Sequence, residues 1–166
     1  MTSKNTNKAV REDSRIIDLY VKTSDNYQLA TSHFIPSVPV KGIILVASAT
    51  AVKRQYYYHF AKFLASQGYV TVCFDYRGIG GSLYDNIKFL KANIRDWGEK
   101  DLNTMINWSK VTYPLQSLHL VCHSIGGQLL ALSKDNYKAD SILHCSVQSG
   151  YWTLWKEFLT WINNNN

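Results

Sequence analysis

Several features that would assign the chain to a specialised class are missing. No apolar run reaches the roughly 18 residues a membrane-spanning helix needs. The opening stretch MTSKNTNKAVREDSR lacks the apolar middle of a secretory signal, so cytoplasmic residence is the expectation. No block of five or six like charges gathers the formal charge of +6, which comes from 18 basic and 12 acidic residues. A nucleic-acid footprint would need a basic stripe with interleaved aromatics, and none is expected here. Cysteine is scarce: Cys73, Cys122 and Cys145 each fall inside an apolar run, and their odd count does not suggest a disulfide framework. They read as small core residues in a reducing compartment. No metal and no cofactor is expected either. The pairs Cys122 with His123 and His144 with Cys145 are adjacent, and neighbours on a strand face opposite sides.

What remains is 166 residues, 46% of them apolar, enough for one core. Residues 1–14 are polar and expected to be loose, residues 15–162 form the domain, and residues 163–166 are an asparagine tail. RIIDLYVKTSDNYQLATSHFIP reads as a hairpin turning at Ser24, Asp25 and Asn26. GIILVASA, at 42–49, has the continuous apolar character of a strand covered on both faces. QYYYHFAKFLASQG spaces Tyr57, Phe60, Ala61 and Leu64 for one helical face and stops at Gly68. A strand, YVTVCFDY, follows, and then a glycine-rich loop at 77–82. In the long helical stretch DWGEKDLNTMINWSKV, Trp97, Asp101, Leu102, Met105 and Trp108 share a face. The strand SLHLVCHS, the helix IGGQLLALSK and the strand SILHCSVQSG close the series. The alternation predicts an α/β fold: a mostly parallel sheet of about six strands, with an N-terminal antiparallel hairpin and helices on both faces. Ligands of such sheets bind at the carboxyl ends of the strands, so the loops 48–55, 76–84, 122–126 and 148–152 share the functional rim.

On that rim lies CHSIGG, residues 122–127. A nucleophile elbow reads G-x-S-x-G, since small neighbours let the backbone pass through a tight strand-to-helix turn. Here Cys122 stands at the first glycine position, Ser124 at the nucleophile, Gly126 at the last, and Gly127 follows. The rival motif is DYRGIGGS, whose Gly78, Gly80 and Gly81 suggest a dinucleotide loop. G-x-G-x-x-G would need glycine at 83, which is leucine, and Asp75 and Arg77 are instead expected to brace the rim.

With CHSIGG, FDYRGIGGS, VASATAVKRQYY and DWGEKDL in this order, the chain resembles the α/β-hydrolase superfamily over about residues 15–155. Within it the likeness is to the N-terminal part of predicted hydrolases related to serine aminopeptidases and monoacylglycerol lipases. The resemblance implies Ser124 as nucleophile and the backbone N–H of Ile125 as one oxyanion donor, with Ala49, or Thr50 next, supplying the second. Lipase relatives carry His-Gly where this chain has Ala47 and Ser48. It also implies a small acyl-containing substrate.

The same resemblance orders the triad Ser, then Asp or Glu, then His. His144 is the only histidine after Ser124. Mid-strand, it reads first as a core histidine with a local hydrogen bond and second as a candidate base. Asp135 and Asp140 are expected to point away from the serine, and His59 and His123 to be structural. The expectation is therefore an incomplete fold that holds the nucleophile and oxyanion half. The alternative is a non-catalytic module that self-associates or binds a partner chain through its sheet edge and a C-terminal helix, where Trp152, Trp155, Leu159 and Ile162 form a stripe. Lys53 and Arg54 read as a solvated pair on the rim, with a lesser reading as attractors of an anionic substrate.

Overall fold

The computed structural model describes residues 14–147. All but the last residue of the loose segment expected over 1–14, the end of the last expected strand and the expected tryptophan-bearing helix after it lie outside these residues, as does the 148–152 loop.

Six strands form one sheet in the order β1-β2-β4-β3-β5-β6: β1 is Arg15–Lys22, β2 Gln28–Ile35, β3 Gly42–Ala47, β4 Tyr69–Phe74, β5 Leu118–His123 and β6 Ser141–Cys145. β1 and β2 form the expected hairpin, with Arg15 opposite Ile35 and Lys22 opposite Gln28. Its turn is closed by Thr23, whose hydroxyl donates to Asp25 at 2.5 Å, and by Asn26, whose φ of 66° suits asparagine better than most residues. β2 joins β4 antiparallel, and the β4, β3, β5 and β6 pairings are parallel. β3 is central because all six of its residues, GIILVA, are buried, which suits a strand with neighbours and cover on both sides.

Alternation along β3 divides the core into two layers. Ile43 and Leu45 face Leu102, Met105, Ile106 and Leu129 on one side; Ile44 and Val46 face Tyr57, Ala61 and Ala65 on the other. The second layer belongs to α1, Tyr58–Ser66, entered through a 3-10 turn at Arg54–Tyr57. The expected inward face of this helix needs one correction. Phe60 is exposed, and Ala65 is buried beside Ala61. Two alanines four residues apart let the helix axis come close to the sheet, which leaves no room for a ring on that line.

On the other face, the stretch expected as one long helix has three parts: α2, Ile94–Asp96; a π-helical segment, Trp97–Leu102; and α3, Asn103–Thr112. Asn93 begins it with a capping box: its side-chain oxygen accepts from the Asp96 N–H, and the Asp96 carboxylate accepts from the Asn93 N–H at 2.9 Å. The wider π turn aims Gly98 at α4, Ile125–Leu132, where an added Cβ would sit 2.7 Å from the Leu129 carbonyl oxygen. No helix among the described residues is long and apolar enough to cross a membrane.

Candidate active site

β5 buries Leu118, Leu120 and Cys122 on the α4 side and then ends at His123. The next residue, Ser124, has φ 52° and ψ −116°, a backbone conformation that L-residues adopt only under constraint. Its N–H donates to the Cys145 carbonyl at 2.9 Å, extending the β5–β6 ladder by one step. Its own carbonyl accepts from the Gly127 N–H at 3.2 Å and opens α4. Both glycines are sterically required. A Cβ at Gly126 would strike the Ala47 carbonyl oxygen, and one at Gly127 would come within 2.5 Å of the Val147 methyls. The helix start is thus pressed against the end of β3 on one side and β6 on the other.

Cys122, at the first position of the motif, is fully buried, and burial pushes its thiol up to about 12. A thiol held protonated in the core does not compete with the serine hydroxyl. That hydroxyl is half-buried and has no side-chain hydrogen-bond partner among the described residues. The Ile125 N–H belongs to the first turn of α4, whose donors no carbonyl inside the helix can take.

The loop after β3 runs past Ala49, Thr50 and Ala51, and Ala51 has φ 58°. A turn from the Val52 N–H to the Ala49 carbonyl, 3.2 Å, closes it. The Ala49 N–H donates to the Tyr57 hydroxyl oxygen at 3.0 Å, and that oxygen lies 2.9 Å from His123 Nδ1. The phenol oxygen thus bonds the amide and the imidazole together, the His123 tautomer deciding which of the two donates in the second bond. Burial raises the Tyr57 pKa further, so the phenol stays neutral. Tyr57 therefore joins the loop after β3 to the residue preceding Ser124. The sequence marked Tyr57 only as a core-facing helix position and His123 only as structural.

The glycine-rich loop after β4 wraps a carboxylate. Asp75 is fully buried and accepts from the Arg54 N–H at 2.6 Å, Arg54 Nη1 at 2.5 Å and the Gly81 N–H at 2.9 Å. A Cβ on Gly80, whose φ is 49°, would lie 2.5 Å from that carboxylate. The expected bracing role of Asp75 is what the loop displays. Arg54 is not a solvated rim residue: it reaches inward to Asp75 and Ser32, and only Lys53 is exposed. Arg77 is likewise buried, bonding Asp101 at 2.6 Å and Asp25 at 2.8 Å, so it links the π segment to the hairpin turn. Burial pushes the Asp101 carboxyl up to about 6 against the pull of Arg77.

Of the residues considered as triad partners, the two aspartates lie away from Ser124. Asp140 accepts from the Leu118 N–H at 2.8 Å, at the start of β5, and Ser124 follows its end, about 20 Å along the strand. Asp135 is held down at about 2 by the Asn107 amide and by Lys138. His144 is not a core residue: it is exposed on β6, opposite Cys122, and its Nδ1 lies 2.9 Å from where a Cβ on Gly127 would be. An apolar run reads as buried, but β6 pairs only with β5 among the described strands. His59 is exposed on α1. No group of three or more His, Cys, Asp or Glu side chains among the described residues could hold a metal ion.

The fold has close counterparts among solved structures. A thermostable carboxyl esterase from Bacillus coagulans superposes with a TM-score of 0.72 at 17% identity, over 90% of this chain and 49% of its own. An esterase of Pyrococcus furiosus gives 0.68 at 15% identity, over 99% and 60%. A lidless α/β serine hydrolase from Xanthomonas campestris gives 0.66 at 17%, over 83% and 64%. The chain thus spans about half to two-thirds of the length of these structures, and the shared fold is the α/β-hydrolase fold. No curated protein matches the sequence significantly. Residues 38–162 match the model of the serine aminopeptidase S33 family. That match covers most of the chain and includes both the β3 loop and the turn at Ser124, and the protein belongs to this hydrolase family.

Proposed function

We propose that Ser124 is the nucleophile of a site for acyl transfer to water, acting on an ester, thioester or amide of a small or lipid-like acyl group. The observation that carries this reading is the strained Ser124 backbone, φ 52° and ψ −116°, with the hydroxyl left without a partner among the described residues. Attack on a carbonyl carbon would push charge onto its oxygen, where the Ile125 N–H stands ready at the positive end of α4. The second donor comes from the 49–50 loop. Ala49 supplies it if the Tyr57 hydroxyl yields to the substrate oxygen, and Thr50 supplies it if Tyr57 stays.

The proton leaving Ser124 needs a base. His123 Nδ1 is occupied by Tyr57, and the His144 ring lies against Gly127 on the α4 side. We place the base and its carboxylate outside residues 14–147, so the described part holds the nucleophile and oxyanion half of the site. A fluorophosphonate probe is expected to label the chain slowly or not at all, and added imidazole should speed labelling at Ser124 alone. Mass-spectrometric mapping of the label to another residue would overturn the nucleophile. Fast labelling without imidazole, abolished by both Ser124→Ala and His144→Ala, would overturn the missing base.

One observation favours a second reading, association through the sheet edge. Ile142 and Leu143 on β6 are 43% and 56% exposed, on a strand with one described neighbour. A mass that stays monomeric across concentration would remove it.

A further inference from the structure

We infer that the segment 83–95, between the glycine-rich loop and the π-bearing helix, is an interfacial anchor for an anionic lipid surface. Folding leaves this stretch outside the core: Tyr84, Ile87 and Ile94 are exposed, and Phe89 is 73% exposed, level with Tyr56 and just below Tyr137 among the described aromatics. So many large apolar side chains left in water along one short stretch mark a binding surface. The segment is nonetheless held in shape. Asn86 caps a 3-10 turn at Ile87–Phe89, accepting from the Lys88 N–H at 3.0 Å. The Tyr84 hydroxyl donates to the Gln28 carbonyl, and the Leu90 side chain lies over Gly78, where a Cβ would meet it at 2.5 Å.

Charge selects the occupant. Three cations, Lys88, Lys91 and Arg95, accompany a single acidic residue, Asp85. Arg95 is paired to Glu99 at 2.6 Å, whereas Lys88 and Lys91 are exposed and make no ion pair among the described residues. Their ammonium groups alternate with Ile87, Phe89 and Leu90, so apolar bodies can enter the headgroup layer while the lysine stems carry charge out to phosphates. Tyr84 is an interfacial residue by chemistry, and its ring lies 6.3 Å from that of the exposed Tyr20. The aliphatic side chains favour lipid over a nucleic acid, which would use only the aromatic and the cations. The segment follows β4 and so leaves the same rim as Ser124, but its binding involves no chemistry at that serine and stands or falls separately.

The test is co-sedimentation of the whole chain with vesicles of phosphatidylcholine containing about one-third phosphatidylglycerol, against phosphatidylcholine alone. The wild type is expected to partition at least about tenfold more strongly onto the anionic vesicles, and less so at high salt. Lys88→Glu with Lys91→Glu should lose about tenfold or more of that binding. Ile87→Ser with Phe89→Ser should lose about tenfold or more while keeping cooperative unfolding. If the double variant unfolds, Phe89→Ser alone gives the same reading, since that ring supports little of the core. Absence of wild-type sedimentation, binding unchanged in the serine variants, or a dimer that Phe89→Ser dissolves without any vesicle binding would each overturn the anchor.

Discussion

The turn after β4 surrounds Asp75 with three donors, whereas the turn after β5 leaves the Ser124 hydroxyl without a side-chain partner among the described residues. Both turns rely on glycines that make way for something. At Gly80 it is the Asp75 carboxylate, which the loop closes around; at Gly126 it is the Ala47 carbonyl, and the close approach of α4 to β3 holds Ser124 in its unusual backbone state. The contrast separates two uses of a polar group at one rim. A saturated carboxylate holds loops together, and an unsaturated hydroxyl held under strain is available for chemistry.

The contrast breaks most visibly at Asp75. Asp75→Ala leaves the Arg54 guanidinium facing an empty buried site, and chemical denaturation should show a loss of about 3–5 kcal/mol. Next in size is a pH effect away from both turns. His33 is buried against Trp108 with Nε2 unpartnered, and burial lowers its pKa from 6.5 to about 4. The unfolded chain takes up this proton below about pH 6.5 while the folded one does not until about pH 4, so stability falls as pH drops through that window. His33→Phe should remove up to about 3 kcal/mol of the difference between neutral and acidic unfolding free energies. Tyr57→Phe strands the Ala49 N–H and the His123 Nδ1 and should cost about 1–2 kcal/mol by thermal unfolding. The smallest change has the opposite sign. Ser124→Gly relieves the positive φ and should stabilise the fold by about 1 kcal/mol while abolishing probe labelling. A destabilised Ser124→Gly would remove the claim that this residue is strained.

The strands could be read in the sequence because apolar runs such as GIILVA and YVTVCF are bounded by glycine and polar residues, and their burial follows from having neighbours on both sides. The hairpin and the serine turn were readable for the same reason, since local chemistry dictates both. Long-range pairings were not. Tyr57 and His123 stand 66 positions apart, and Arg54 meets Asp75 across 21, with no local pattern to announce either. His144 looked buried because periodicity records apolarity and not whether a strand has a second neighbour. Phe60 looked inward because a helical face drawn from hydrophobicity ignores how closely two alanines let it approach.

The π segment Trp97–Leu102 sets the phase of everything that follows it in its helix. A π turn holds about one residue more than an α turn, so removing one residue there would close it to ordinary α geometry while the downstream half keeps its phase. The same deletion just after Leu102 has no wide turn to absorb it: it would rotate the rest of α3 by about 100°, swing Met105 and Ile106 off the sheet and undo a layer of packing that no single side-chain replacement could reach.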